Sequence, residues 1–159
     1  MADGGARIAE PANVHATGVI LGDRAVLLLG ESGSGKTGLA FALLAHAARH
    51  GRFARLVGDD QLFLSVAAGR LILRAPAAIV GQAEVRGLGP RALPCEVRAV
   101  ADLAVRLVEP AAAARYPETH VETFHGVGLP CLTLAAGDRQ GALFAVAAHL
   151  GLPPFTSTG

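Results

Sequence analysis

Residues Gly30-Glu31-Ser32-Gly33-Ser34-Gly35-Lys36-Thr37 fit the pattern G-x-x-x-x-G-K-[ST]. The chemistry follows from the residue types. Glycines let successive backbone N–H groups turn inward as a nest for anionic oxygens at a helix N-terminus, Lys36 reaches β and γ phosphates, and the Thr37 hydroxyl becomes a Mg²⁺ ligand. Such a loop binds a nucleoside triphosphate or a related polyphosphate, and all eight residues are candidate nucleotide-binding positions. Asp59-Asp60 follows a short apolar run, the usual place for an acidic residue that supports the metal in a phosphate-loop protein. On an extended segment consecutive side chains point opposite ways, which predicts one carboxylate facing the metal and the other facing an incoming hydroxyl. A base beside the γ-phosphate implies transfer to an acceptor.

Four other patterns are weaker by themselves. Glu84-Val85-Arg86-Gly87-Leu88-Gly89 sets a carboxylate and a guanidinium two residues apart, ahead of glycines that permit close backbone approach; alone it reads as a surface ion pair before a turn. His15, in Val14-His15-Ala16-Thr17-Gly18, alone reads as a core or surface histidine. Arg115-Tyr116-Pro117 and Gly137-Asp138-Arg139 read as ordinary loops.

These groups need elements to hold them. The apolar segments 19–21 and 25–29, separated by Gly22-Asp23-Arg24, predict a hairpin whose second strand runs into Gly30. Residues Lys36 to His50 predict a helix with Leu39, Leu43, Leu44 and Ala47 on one face, ended by Gly51. Phe53 to Val57 predicts a strand that delivers Asp59-Asp60. Alternating Leu62, Leu64 and Val66, a turn at Ala68-Gly69 and a return over Leu71 to Leu73 predict a second hairpin. Ala101 to Val108 alternates as a strand, although its apolar residues also fit a helical face. Val121 to Phe124 and Cys131 to Leu134 read as strands, and Gln140 to Leu150 as a closing helix. Few helices and many hairpin-linked strands differ from the repeated strand-helix-strand units of a doubly wound sheet.

Composition narrows the classes. The chain has 159 residues, a formal net charge of +1 and 17% charged residues, without a basic excess that would hold a nucleic-acid backbone. Its longest apolar runs fall far short of the roughly 20 residues a bilayer span needs, and Met1 to Glu10 lacks the apolar core of a signal peptide, so the cytoplasm is the expected compartment. Cys95 and Cys131 stand at neither disulfide-framework nor zinc spacing and are expected as free thiols. Aromatic residues are only 4% and alanine is abundant, so the core is thin and subunit association is expected to help it. Of 14 basic residues only Lys36 is a lysine, which a GC-rich codon bias explains except for its location. The expected organisation is a flexible stretch over 1–12, one domain over 13–150 and a poorly ordered tail over 151–159.

Taken together, the pieces resemble the catalytic domain of HPr kinase/phosphorylase. This bacterial family phosphorylates a serine of the phosphocarrier protein HPr and can remove that phosphate by attack of inorganic phosphate, releasing pyrophosphate. The resemblance runs over about residues 13–150. It rests on His15 upstream of the loop, on Gly30 to Thr37, on Asp59 and Asp60, and above all on the hexapeptide Glu84 to Gly89, which matches E-[IV]-R-G-L-G. It implies an α/β phosphate-loop (Walker A) fold of the HPr kinase/phosphoenolpyruvate carboxykinase type, with a mixed sheet, hairpins and few helices. It further implies ATP and Mg²⁺ as cofactors, HPr or its nitrogen-related counterpart as partner, and a hexamer. By the same resemblance Lys36 holds the transferred phosphates, Thr37 and Glu84 bind Mg²⁺, and Asp59 supports the metal through water. Asp60 acts as base toward the serine hydroxyl and as acid in reverse, and His15 completes the catalytic set. Arg115 looks like the arginine of a mobile loop near the phosphates, and 134–139 falls where the family places residues needed for dephosphorylation. Three departures stand out. The N-terminal domain of longer members is absent, as in short forms from alphaproteobacteria; Gly38 stands where the family often has an acidic residue; and the usual Gly-Ala-rich loop between Gly89 and Arg115 is missing. Two other readings stay open: a small-molecule phosphotransferase, because phosphoenolpyruvate carboxykinases share the loop architecture, and a regulatory protein that binds ATP without transferring phosphate.

Overall fold

The computed structural model describes residues 11–116 and 119–156. In chain order the strands are β1 (Ala12–Val14), β2 (Ala16–Leu21), β3 (Arg24–Gly30), β4 (Ala54–Gly58), β5 (Leu62–Ala67), β6 (Arg70–Arg74), β7 (Gln82–Val85), β8 (Gly89–Ala92), β9 (Arg98–Val108), β10 (His120–Phe124) and β11 (Val127–Ala135). The helices are α1 (Lys36–Arg49) after β3, the short α2 (Pro110–Ala113) after β9 and α3 (Arg139–Leu150) after β11, with one 3₁₀ turn at Ala77–Ile79.

Both expected hairpins form. β2 and β3 pair antiparallel from Ala16↔Leu29 to Leu21↔Arg24. β5 and β6 pair from Phe63↔Arg74 to Ala67↔Arg70, joined by Ala68 and Gly69, both with positive φ as a two-residue turn of this hand requires. The ambiguous segment 101–108 is a strand, and the longest in the molecule. It lies in mid-sheet: β3 and β11 run parallel on either side of its second half, while β6 pairs antiparallel with its first residues. A strand covered on both faces is apolar almost throughout, and that is the origin of the helix-like spacing.

Because β9 passes from β6 to β11 along one edge, the sheet splits there and curls. The order β1-β5-β6-β9-β3-β2-β4 carries the pair β11-β10 as a branch on β9. One core lies between the sheet and the two long helices, with Leu39, Ala40, Leu43 and Ala47 of α1 and Ala142, Leu143, Val146 and Ala147 of α3 against Val26, Leu28, Leu103, Val105 and Leu107. The second lies inside the curl, where Leu62, Leu64, Leu71 and Leu73 meet Ala16, Leu27, Leu29, Val57 and Cys131. Gly58 serves this second core: a Cβ there would stand 2.7 Å from Leu62 Cδ2 and 3.1 Å from Ala75 Cβ.

Two expectations about the chain ends change. The segment after α3 is not a loose tail over its described part. Gly151 closes the helix at φ +67° and turns Leu152 back onto the last turn, where Leu152 is buried and its N–H donates to Ala147 O at 2.8 Å. At the other end, residues 1–10 lie outside the described residues, and Ala12 already belongs to β1 through its pairing with Leu64. Among the described residues no helix is long and apolar enough to cross a membrane.

Candidate nucleotide and phosphotransfer site

The parallel strands β3, β9 and β11 end on one edge of the sheet, and β4, antiparallel to β2, ends there too. Ligands of open α/β sheets bind outside such carboxyl ends. Here the four ends deliver the glycine loop after β3, Asp59-Asp60 after β4, α2 after β9 and the Ala135–Arg139 segment after β11. A cleft of about 1170 Å³ opens between them, lined by Ser32 to Leu39, Phe41, Ala42, Asp59, Asp60, Glu84 to Arg86, Leu107 and the run from Ala135 to Arg139.

The loop has the form its glycines predict. Gly30, Gly33 and Gly35 have φ of +153°, +82° and +99°. At Gly30 glycine is also required by contact, since a Cβ would meet Ser34 Oγ at 2.5 Å and Leu107 O at 3.0 Å. Gly35 caps α1 with no side-chain hydrogen bond and no acidic residue follows in the first turn, so the leading N–H groups have no side-chain acceptor. Lys36 is 4% exposed, and its Nζ donates to Gly30 O at 2.8 Å and to Glu31 O at 3.1 Å. Among the described residues no carboxylate pairs with it. The buried Ser34 Oγ also has no protein partner. A buried ammonium, an orphaned hydroxyl and uncapped amides around one hollow fit a bound polyphosphate.

Asp59 is held from three sides. Its Oδ1 accepts from Thr37 Oγ1 at 2.8 Å and from Thr17 Oγ1 at 3.2 Å, and its Oδ2 accepts from the Glu84 N–H at 3.2 Å. Asp60 turns elsewhere, its Oδ1 lying 3.0 Å from His15 Nε2 with both side chains about half exposed. The two carboxylates diverge as expected, but not through strand alternation: β4 ends at Gly58 and Asp60 has φ +66°, a left-handed turn that aspartate tolerates. Thr17, fully buried on β2, joins them, since its hydroxyl donates to Asp59 and accepts from the Asp60 N–H at 3.1 Å. Sequence reasoning passed over this residue. The only signal available was a hydroxyl in an otherwise apolar strand beside His15.

Glu84 reaches the cleft on β7, whose antiparallel partner β8 makes a separate two-stranded ribbon. Among the described residues Glu84 and Arg86 form no ion pair. The glycines after them do not admit a close backbone; a Cβ at Gly87 or Gly89 would meet nothing within 4 Å, and their φ of +83° and +94° serve the ribbon turn. The hydroxyl of Thr37, the Asp59 carboxylate beside it and the Glu84 carboxylate are the hard oxygen donors that suit Mg²⁺.

Arg115 is not brought to this cleft. It is exposed at the end of α2, where Ala112 and Ala113 are half-buried, and the next residue, Tyr116, stacks on the His120 ring at 5.1 Å. Pro117 lies outside the described residues. The arginines that do line the cleft are Arg86 and Arg139. Beneath α2, Arg106 grips Glu122 with Nε to Oε1 at 3.0 Å and Nη2 to Oε2 at 2.7 Å. That bidentate bond holds the Glu122 carboxyl below its usual range and raises the guanidinium. Burial pushes the Cys131 thiol beside them up to about 11. His120, Glu122 and Cys131 offer ligand atoms within 4.8 Å of one another, but both Glu122 oxygens are already engaged by a cation, so the group is an ion-pair network tying β10 to β9. Cys95 and Cys131 are free thiols, as expected.

No family model matches the chain. The HPr kinase/phosphorylase of Clostridium beijerinckii is 37% identical to it over 83 residues, which is 52% of this chain and 26% of that one. The chain thus matches about a quarter of the length of this curated relative. The solved structure of the Hpr(Ser) kinase/phosphatase from Coxiella burnetii superposes with a TM-score of 0.72 at 22% identity, covering 87% of this chain and 96% of the other. The mixed sheet with hairpins and few helices expected from the sequence is present, and the fold, with the curl that the sequence did not announce, is shared with that structure. The chain has the fold of an HPr kinase catalytic domain and is related in sequence to HPr kinase/phosphorylase.

Proposed function

We propose that the chain transfers the γ-phosphate of ATP, with Mg²⁺, to a serine hydroxyl of the phosphocarrier HPr or its nitrogen-related counterpart. In reverse it removes that phosphate by phosphorolysis. The observation that carries the reading is the division between the paired carboxylates: Asp59 is buried on the Thr37 hydroxyl, while Asp60 stands exposed against His15. Lys36 and the loop amides hold the phosphates. Thr37, Asp59 and Glu84 would hold Mg²⁺, which when bound neutralises charge on the phosphate oxygens. Asp60 takes the serine proton as the serine oxygen bonds to phosphorus and the bond from phosphorus to the bridging oxygen breaks, leaving ADP. In the reverse direction Asp60 returns that proton to the serine oxygen as inorganic phosphate takes the phosphoryl group and pyrophosphate leaves. His15, 3.0 Å from Asp60 Oδ1, orients the carboxylate.

Exposure supports a macromolecular acceptor. A base about half open to solvent can be reached by a side chain on another protein. We also propose a homo-oligomer, hexameric by the family resemblance, which light scattering on the purified chain would measure. The central test incubates the protein with γ-labelled ATP, Mg²⁺ and HPr-type carriers. Labelled phosphoserine should form, and added inorganic phosphate should convert it to labelled pyrophosphate. Absence of transfer to every such carrier overturns the proposal.

A further inference from the structure

The run Gly30, Gly33, Gly35, Gly38 contains one glycine that the backbone does not require. The first three have positive φ and Gly38 does not. It sits in the first turn of α1, where alanine is the better helix former. Its missing side chain is explained by a neighbour: a Cβ at position 38 would stand 2.8 Å from Arg139 Cζ and 3.1 Å from Arg139 Nε, with Nη2 closer still. The guanidinium of the first residue of α3 thus lies against the first turn of α1, in the space a side chain at 38 would take.

The guanidinium is exposed and lines the cleft, in a setting that is positive already. The N-terminal turn carries the positive end of the helix dipole, Lys36 is two residues away, and among the described residues no carboxylate pairs with Arg139. The neighbouring Asp138 is committed to capping α3 through the Gly141 N–H at 2.9 Å. A cation placed against two positive neighbours in a cleft is suited to an anionic ligand. The cleft also has a direction. Lys36, Asp59, Asp60 and Glu84 mark the end where the terminal phosphate reacts, while Phe41, Ala42 and Ala142 supply the apolar walls on α1 and α3 that a base needs. Arg139 stands between the two, against Gly38 just after Lys36 and Thr37 and one turn before Ala142.

We infer that Arg139 binds the phosphate nearest the ribose of the nucleotide, and that position 38 is glycine to leave room for its guanidinium. The inference rests on the nucleotide reading above and names which part of the nucleotide is gripped by which side chain. Calorimetry on the whole chain with Mg²⁺ tests it, titrating ATP, ADP and pyrophosphate into the wild type, Arg139→Gln, Gly38→Ala and the double variant. The expected result is that each single variant weakens ATP and ADP about tenfold, as loss of one charge-assisted bond does. The double variant should be no weaker than Arg139→Gln, pyrophosphate affinity should stay within about twofold, and Gly38→Ala should melt at or above the wild-type midpoint. Unchanged ATP and ADP binding in both single variants, with a wild type that binds them, overturns this inference alone. Pyrophosphate weakened as much as ATP places Arg139 on the terminal phosphates and overturns it equally. A wild type that binds no ATP overturns the nucleotide reading itself.

Discussion

Replacing Thr17 by valine keeps a side chain of similar shape and removes the one hydroxyl that touches both carboxylate residues. Thr17 is fully buried; its Oγ1 donates to Asp59 Oδ1 at 3.2 Å and accepts from the Asp60 N–H at 3.1 Å. A bond to a charged acceptor contributes about 1.5–3 kcal/mol and a neutral one about 0.5–1.5 kcal/mol. The first is long for an O–H donor, which puts it near the lower figure. The Asp60 amide is only partly buried, so water replaces much of the second. The expected loss is about 2 kcal/mol, a fall of about 4–8 °C in the thermal midpoint of a chain this size. Asp59 would keep Thr37 and the Glu84 amide, but the tie between the two carboxylates would be gone. Misplacement on the scale of an ångström costs up to about a hundredfold in rate, so phosphotransfer should drop by about tenfold or more. Thr17→Ser separates the effects: it loses a buried methyl, worth about 1 kcal/mol, and keeps both bonds. Stability measured by calorimetric melting and rate measured by labelled transfer should therefore diverge, with serine less stable than wild type yet active, and valine impaired in both. A valine variant with wild-type midpoint and rate, or a serine variant as slow as valine, refutes the positioning role.

Asp60→Asn preserves a residue that accepts positive φ, so it should melt within about 0.5 kcal/mol of wild type while transfer falls about 10²–10⁴-fold; retained transfer would remove Asp60 as the base. Lys36→Arg forces a planar fork into a buried position that now donates to two loop carbonyls, and ATP affinity should fall at least about tenfold by calorimetry with the circular dichroism spectrum unchanged. Arg106 holds Glu122 below its ordinary range, so the ionised pair adds stability above that range and loses it as pH falls through the lowered value. Midpoints taken from about pH 6 to about pH 3 should therefore fall more steeply for wild type than for Glu122→Gln, and parallel curves would contradict the pairing. Cys131 is buried and pushed up to about 11 while Cys95 is half-buried, so a thiol reagent at about pH 8 should label one cysteine in the native protein and both after denaturation.

Much of this architecture was legible because local signals and burial agreed. The turn at Gly22 and the turn at Ala68-Gly69 each join strands of clean period, and both hairpins stand where the residues put them. The helix of 36–49 was legible for the same reason, with Leu39, Leu43 and Ala47 buried on one stripe. Long-range pairing was not. Nothing in the neighbourhood of 101–108 tells that a strand will pair with it on each side, and once both faces are covered the alternation that distinguishes strand from helix fades. The ribbon of 82–92 escaped for another reason: its turn glycines belong to the same hexapeptide that carries the Glu84 carboxylate, so one short stretch carries a turn signal and a chemical one at once. Leu152 was hidden by the prolines after it, which read as tail although the glycine before it folds the leucine back into the core.

The site divides along the same line. Contiguous pieces, such as the loop and the Asp59-Asp60 pair, declare themselves because their spacing is set by one stretch of backbone. Pieces that meet only through the sheet do not, and Thr17, Arg139 and Gly38 are of that kind. Thr17 lies 42 residues from Asp59 in the chain and joins it because β2 pairs with β4 through Gly18↔Gly58. Arg139 lies 101 residues from Gly38 and meets it because β11 ends on the edge where β3 ends, so α3 starts beside α1. Arg115 shows the converse: a position inferred from order along the chain stays outside the cleft, because α2 turns it to solvent. The shared strand edge, more than any motif, therefore decides which charged groups line one cleft, and the Gly38→Ala variant is the sharpest probe of that edge. It changes no charge, sits in a helix that should welcome it, and puts its methyl where the guanidinium of a residue from the other side of the cleft now lies, so the double variant with Arg139→Gln separates that displacement from any obstruction by the methyl itself.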